Sequence, residues 1–211
     1  MKAQLRGVGK AAFERALPGF LKGQRWFGGK ARTIRSASIL DLALISPNSV
    51  IVLSRVRYAD RGEEIYALPL TLPAGPKKAW EDACGAPDFG RAILDAVRGR
   101  RSLPALRGTV RAERTRAFAR LAAGLGPGIR PRPLRVEQSN SSVVLGKQLL
   151  IKLYRRVAAG IHPEIEVGRF LTEQGFARAP ALAGWLEYRR GRRTLPLAVL
   201  QAFVPNGSDF W

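Results

Sequence analysis

The chain reads as an α+β protein in two parts, on three observations. Residues 34–71 alternate in the manner of strands between short turn sequences, and residues 88–97 carry apolar positions four apart. A Gly/Pro-dense stretch, GLGPGIRPRPLR, separates these from a second strand meander that holds one helix. The expected division is a domain with a small antiparallel sheet and helices over residues 1–95, a basic connecting segment over 96–133, and a unit of antiparallel sheet plus one helix over 134–211.

In the first part, Ala12, Phe13, Leu17 and Phe20 recur at near-helical spacing, and Pro18-Gly19 is expected to end that helix. The rings of Arg25-Trp26-Phe27-Gly28-Gly29-Lys30 are expected to anchor a small core. After a turn before Asn48, SVIVLSRVRYA should be a half-buried strand, with Ile51, Leu53 and Val56 inward and Arg55 and Arg57 between apolar neighbours. Asp60-Arg61-Gly62 turns it into the returning strand EEIYALPLTL. Further on, Asp88 is the candidate cap of a helix lined by Phe89, Ile93 and Val97 and ended by Gly99. Leu103 to Ala123 adds a further strand or helix.

In the second part, Leu134 to Glu137 enters a polar turn, Val143 to Leu145 forms a strand, Gly146-Lys147 turns, and Gln148 to Tyr154 returns. Along that last strand Lys152 shares a face with Leu150 and Tyr154, and an ammonium there needs a partner. His162-Pro163-Glu164 opens a helix, with proline in its first turn and acids near the positive end of its dipole. WLEYRRGRRTLPLAVLQAF is a hairpin turning at Gly191-Arg192.

Bulk properties exclude several classes. With 211 residues, 46% hydrophobic and 25% charged, the chain is globular. The longest apolar run, Leu195 to Val204, is interrupted and too short for the roughly 20 residues of a membrane span, and no secretory signal is expected. A lone Cys84 forms no internal disulfide, and a single His162 offers neither a zinc cluster nor a nucleophile's base, so a cytoplasmic setting is expected. The net charge is +20, from 28 arginines and eight lysines against 16 acids, and eleven arginines between Arg98 and Arg135 face only Glu113. Such a stretch could hold nucleic acid, but no finger or recognition-helix signature accompanies it, and it reads as a solvated face.

The chemistry lies in the order of elements from residue 136 onward. A nucleotide clamp needs a turn over the phosphates, a lysine on the next strand, an acid on a helix to hold that lysine, and a strand leading to an adenine hinge. Gln138, Ser139, Asn140, Ser141 and Ser142 supply a small polar loop without the G-x-G-x-x-G pattern, and Lys152 supplies the charge. Glu164 and Glu166 are the candidate partners; about 200° apart around a helix, only one can face the sheet, and Glu166 is favoured. Gln201, Ala202, Phe203 and Val204 are the candidate hinge.

Taken together, LKGQRWFGGKAR with a strand ending in Asp41, EQSNSSVVLGKQLLIKLYRRVAAGIHPEIEVGRFLTEQGF, and LAGWLEYRRG with LAVLQAFVPNGSDFW resemble bacterial maltokinase, including the version fused to trehalose synthase. The resemblance spans nearly the whole chain, loosely between Pro73 and Pro133. It implies an N-terminal cap domain followed by a protein-kinase-like small lobe similar to that of aminoglycoside phosphotransferases. It implies, too, transfer of the ATP γ-phosphate to the anomeric hydroxyl of maltose, with magnesium, ATP and maltose bound by the whole enzyme. Ala202 stands where that family usually has glutamate. The catalytic aspartate and magnesium carboxylates are expected to lie outside these residues, so turnover by this chain alone is not expected. Two alternatives of other classes are a stand-alone cap or regulatory module and an Arg-rich nucleic-acid binder.

Overall fold

The computed structural model describes residues 10–72, 80–134 and 139–205. In chain order the first elements are helix α1 (Lys10–Gly23), strands β1 (Ile34–Ser46), β2 (Ser49–Tyr58), β3 (Glu63–Thr71) and β4 (Glu81–Asp82), and helix α2 (Pro87–Arg98). Then come β5 (Ser102–Pro104), β6 (Thr109–Arg114), the single turn α3 (Phe118–Leu121), β7 (Pro131–Leu134), β8 (Asn140–Leu145), β9 (Leu149–Tyr154) and β10 (Arg156–Val157). Helix α4 (Pro163–Glu173) and the hairpin β11 (Leu182–Arg190) and β12 (Arg193–Ala202) complete the fold. Strand pairing is antiparallel throughout, in an α+β arrangement of two sheets.

The cap sheet runs β1-β2-β3-β10, with β4 also pairing β3. Its inner strand β2 is buried along both faces rather than one. Val50, Val52 and Val56 lie under Phe13, Leu17 and Leu21 of α1, while Ile51 and Leu53 join the large core shared with the second sheet. The expected half-exposed strand is corrected for that reason: alternation marks a polar face only where nothing covers it.

Helix α1 continues through Pro18 to Gly23, against the expectation that Pro18-Gly19 would end it. Three residues at i, i+4 and i+8 bury completely, and Glu14 accepts the Ile39 amide at 2.7 Å, so packing outweighs the roughly 3 kcal/mol an interior proline costs. Asp88 does not cap α2. Ala86 occupies the cap position and Asp88, the second helical residue, accepts the Ser46 hydroxyl at 2.7 Å. Trp26 and Phe27 bury beside Tyr66, as their ring chemistry suggested.

The second sheet runs β5-β6-β11-β12-β9-β8-β7. Residues 102–114 thus form two strands of it, β6 pairing β11 from Thr109–Arg189 to Arg114–Gly184. Three of the arginines in the basic stretch are engaged locally: Arg98 with Asp95, Arg100 with Glu113, and Arg114 with the Arg98 carbonyl. Gly184 sits where β11, β6 and α2 converge, and a Cβ there would lie 2.4 Å from the Glu113 carbonyl oxygen and 2.5 Å from Val97 Cγ1. Gly184→Ala is expected to destabilise the fold by about 2 kcal/mol in denaturant unfolding, since backbone is one of the colliding groups.

Cap and second sheet are tied by buried polar groups as well as by apolar packing. Asp41, 2% exposed, accepts from the Leu42 and Arg107 amides and from the Tyr188 hydroxyl at 2.6 Å. Burial, and then that hydrogen bond, push the Tyr188 hydroxyl's pKa up. Glu64 accepts from Tyr58 and Tyr66 and pairs with Arg156 just beyond β9.

Candidate nucleotide-binding site

In β9, Leu149, Ile151 and Leu153 fill the core from one face, while the other carries the partly buried Leu150 and Lys152 and the buried Tyr154. The chain then crosses to the cap sheet as β10 and returns through a short strap in which Gly160, at φ +121°, donates its amide to the Thr194 carbonyl. His162 ends the strap by capping α4: its Nδ1 accepts the Glu164 amide at 3.2 Å, and Pro163 follows at the first helical position.

This cap fixes which acid faces the sheet. Lys152 Nζ donates to Glu164 Oε1 at 2.5 Å, and the Tyr154 hydroxyl donates to Oε2 at 2.8 Å, while Glu166 is exposed on the outer side of the helix. The choice of Glu166 is therefore corrected to Glu164. Helical phase alone could not decide it, because the sheet's position beside the first turn was not legible. Burial works against the charged form of Glu164, but donation from Lys152 and Tyr154 and the attraction of Lys152 outweigh it, and its pKa is lowered. Burial, followed by the neighbouring carboxylate, raises the Tyr154 hydroxyl's pKa. The Tyr154 and His162 rings stack at 3.9 Å and 18°.

His162 sits below its ordinary 6.5, first through burial and then through Lys152, with Glu164 opposing. A depressed pKa means the folded protein takes up fewer protons than the unfolded chain, so this contribution to stability is complete above 6.5 and is lost as pH falls from there through the folded value. Protonation also removes the Nδ1 acceptor that caps the helix carrying Glu164. His162→Asn keeps a capping oxygen without titrating. It is expected to lose less Tm than wild type between neutral pH and about one unit below 6.5, the difference being about 3 °C for a cap worth ~1 kcal/mol.

Part of the expected polar loop is strand. Gln138 lies outside the described residues, Ser139 is exposed, and Asn140, Ser141 and Ser142 already belong to β8. By register Ser142 stands opposite Lys152 and Ser141 opposite Leu153, so the two serines address opposite faces. At the hinge, Gln201 pairs with Leu150 and lies on the face of Lys152. The Ala202 and Phe203 amides are taken by the Ala181 and Gln148 carbonyls, and Val204, 57% exposed, is the first residue past them. Leu150 and Tyr154 flank Lys152 on that face, as the alternation along the strand indicates. Among the described residues no three His, Cys, Asp or Glu side chains gather, and no role in holding magnesium is assigned to them. No described helix is long and apolar enough to cross a membrane.

The site thus joins a lysine on an inner strand to an acid in the first turn of the adjoining helix. Solved glucosamine kinases share this fold: one in complex with glucosamine, ADP and inorganic phosphate is 18% identical with a TM-score of 0.56, matching 80% of this chain and 36% of that one. A second crystal form gives 18% and 0.57, with 84% and 37% covered. The chain thus spans little more than a third of their length. Residues 20–98 match the maltokinase N-terminal cap domain family. Residues 20–98 are thus similar to a maltokinase N-terminal cap, and the chain shares the fold of the glucosamine kinases over most of its length.

Proposed function

We propose that this chain is the nucleotide-holding part of a sugar kinase that transfers the γ-phosphate of ATP to the anomeric hydroxyl of maltose, giving maltose 1-phosphate for α-glucan synthesis. The Lys152–Glu164 pair carries the reading. An ammonium oriented by a carboxylate is a point charge suited to the α- and β-phosphates, and a helix-borne acid keeps it extended along the sheet. Leu150 and Gln201 offer the neighbouring surface for adenine, with the hinge narrowed to the segment around Val204. When bound with magnesium, ATP supplies the transferable phosphoryl group; these residues bind and orient it. The catalytic base and the metal ligands are not assigned to this chain.

The cap match supports maltose as the acceptor, and an ADP-bound glucosamine kinase of the same fold supports nucleotide use. A cytoplasmic setting and trehalose synthase as a partner belong to the same reading. In the gene product carrying this chain, incubation with ATP, magnesium and maltose followed by phosphorus NMR is expected to show a sugar 1-phosphate. Phosphorylation of glucosamine with none of maltose would contradict the acceptor, and absence of any nucleotide binding would contradict the whole reading.

A further inference from the structure

Between β9 and β10 stands Arg155, the largest fully buried polar side chain among the described residues, at 2% exposure. Its carbonyl accepts the Ala67 amide at 2.8 Å, where the chain leaves the second sheet for the cap sheet. Its guanidinium joins two otherwise separate groups. On the cap side, Nη2 pairs with Asp82 at 2.5 Å and donates to Cys84 Sγ at 3.2 Å, and the plane lies 4.6 Å from the Trp26 ring centroid. On the hairpin side, Nε donates to Ser141 Oγ at 2.8 Å, near the start of β8. Nη1 has no hydrogen-bond partner among the described residues.

Burying an arginine is a poor way to gain stability, since an apolar side chain of that volume would avoid its desolvation. What a guanidinium provides is direction, because its donors leave a rigid plane at fixed angles. Here the plane fixes Ser141 and the end of β9 to residues of the cap, and Lys152 lies three residues before Arg155, within β9. Ser141 is on the face opposite Lys152, so its hydroxyl serves this link and not a phosphate.

We propose that Arg155 is a positioning residue through which the cap sets the β8–β9 hairpin, and with it the geometry that Lys152 presents to a nucleotide. The proposal rests on the reading of Lys152 as the phosphate-binding lysine, but its mechanical half stands apart from it. The test uses the 211-residue chain with Asp82→Asn, Ser141→Ala and Ser141→Thr, which spare the buried arginine itself.

Amide hydrogen exchange across Asn140–Leu145 is measured without nucleotide, and MgATP affinity separately. Asp82→Asn and Ser141→Ala are expected to speed exchange in that strand and weaken MgATP binding about tenfold, within the range typical of coupled sites. Ser141→Thr, which keeps the hydroxyl, is expected to restore both. If strand exchange in Asp82→Asn and Ser141→Ala matches wild type, the proposal is overturned whether or not ATP binds. If exchange responds while the wild type binds no ATP, the arginine link stands and the nucleotide reading falls.

Discussion

Lys152→Met is expected to weaken MgATP binding by about a hundredfold in a calorimetric titration, with the fold intact. Methionine follows the lysine stem in length and keeps the packing beside Leu150 and Tyr154, but removes the only described cation tied to Glu164. Two charge-assisted bonds to phosphate, each worth about 1.5 kcal/mol or more, account for a loss of that size. Glu164→Gln should weaken binding less, by about tenfold, because the lysine remains and loses only the anion that directs it. Equal affinity in Lys152→Met and wild type would remove this lysine from the site.

The largest expected effect on stability lies 147 positions in sequence from its partner, at the Asp41–Tyr188 contact. Asp41→Ala leaves the Arg107 and Leu42 amides and the Tyr188 hydroxyl without their acceptor at the seam between cap and second sheet. Unmet buried donors make the loss about 3 kcal/mol, or roughly 8 °C in Tm by circular dichroism. Tyr188→Phe, which leaves the two amide bonds in place, should cost about 1 kcal/mol. A change within about 1 °C for Asp41→Ala would show that the apolar core alone joins the two sheets.

Much of this was legible from residue order. The turns at Asp60–Gly62, Gly146 and Gly191-Arg192 fall where turn chemistry placed them, with Arg61, Gly146 and Gly191 at positive φ. Lys152 has its carboxylate partner on the adjoining helix because period-two alternation is a local property of β9. What escaped the sequence depends on what lies across from a residue. Pro18 persists in α1 because the cap sheet covers Phe13, Leu17 and Leu21, and β2 loses its solvent face because both sides are covered. Glu164 prevails over Glu166 because His162 caps the helix and sets its phase against β9. No pattern within residues 149–157 distinguishes Arg155 from the exposed Arg156 beside it; only the crossing between sheets does.

The central claim is that one lysine, held by Glu164 within a cap-supported sheet, meets the nucleotide's phosphates. A lysine-reactive acyl-phosphate derivative of ATP, followed by peptide mass spectrometry, tests it among the eight lysines of the chain. Acylation concentrated on Lys152 and suppressed by excess ATP is the predicted result. Acylation spread over the other lysines, with Lys152 unprotected by ATP, would contradict it.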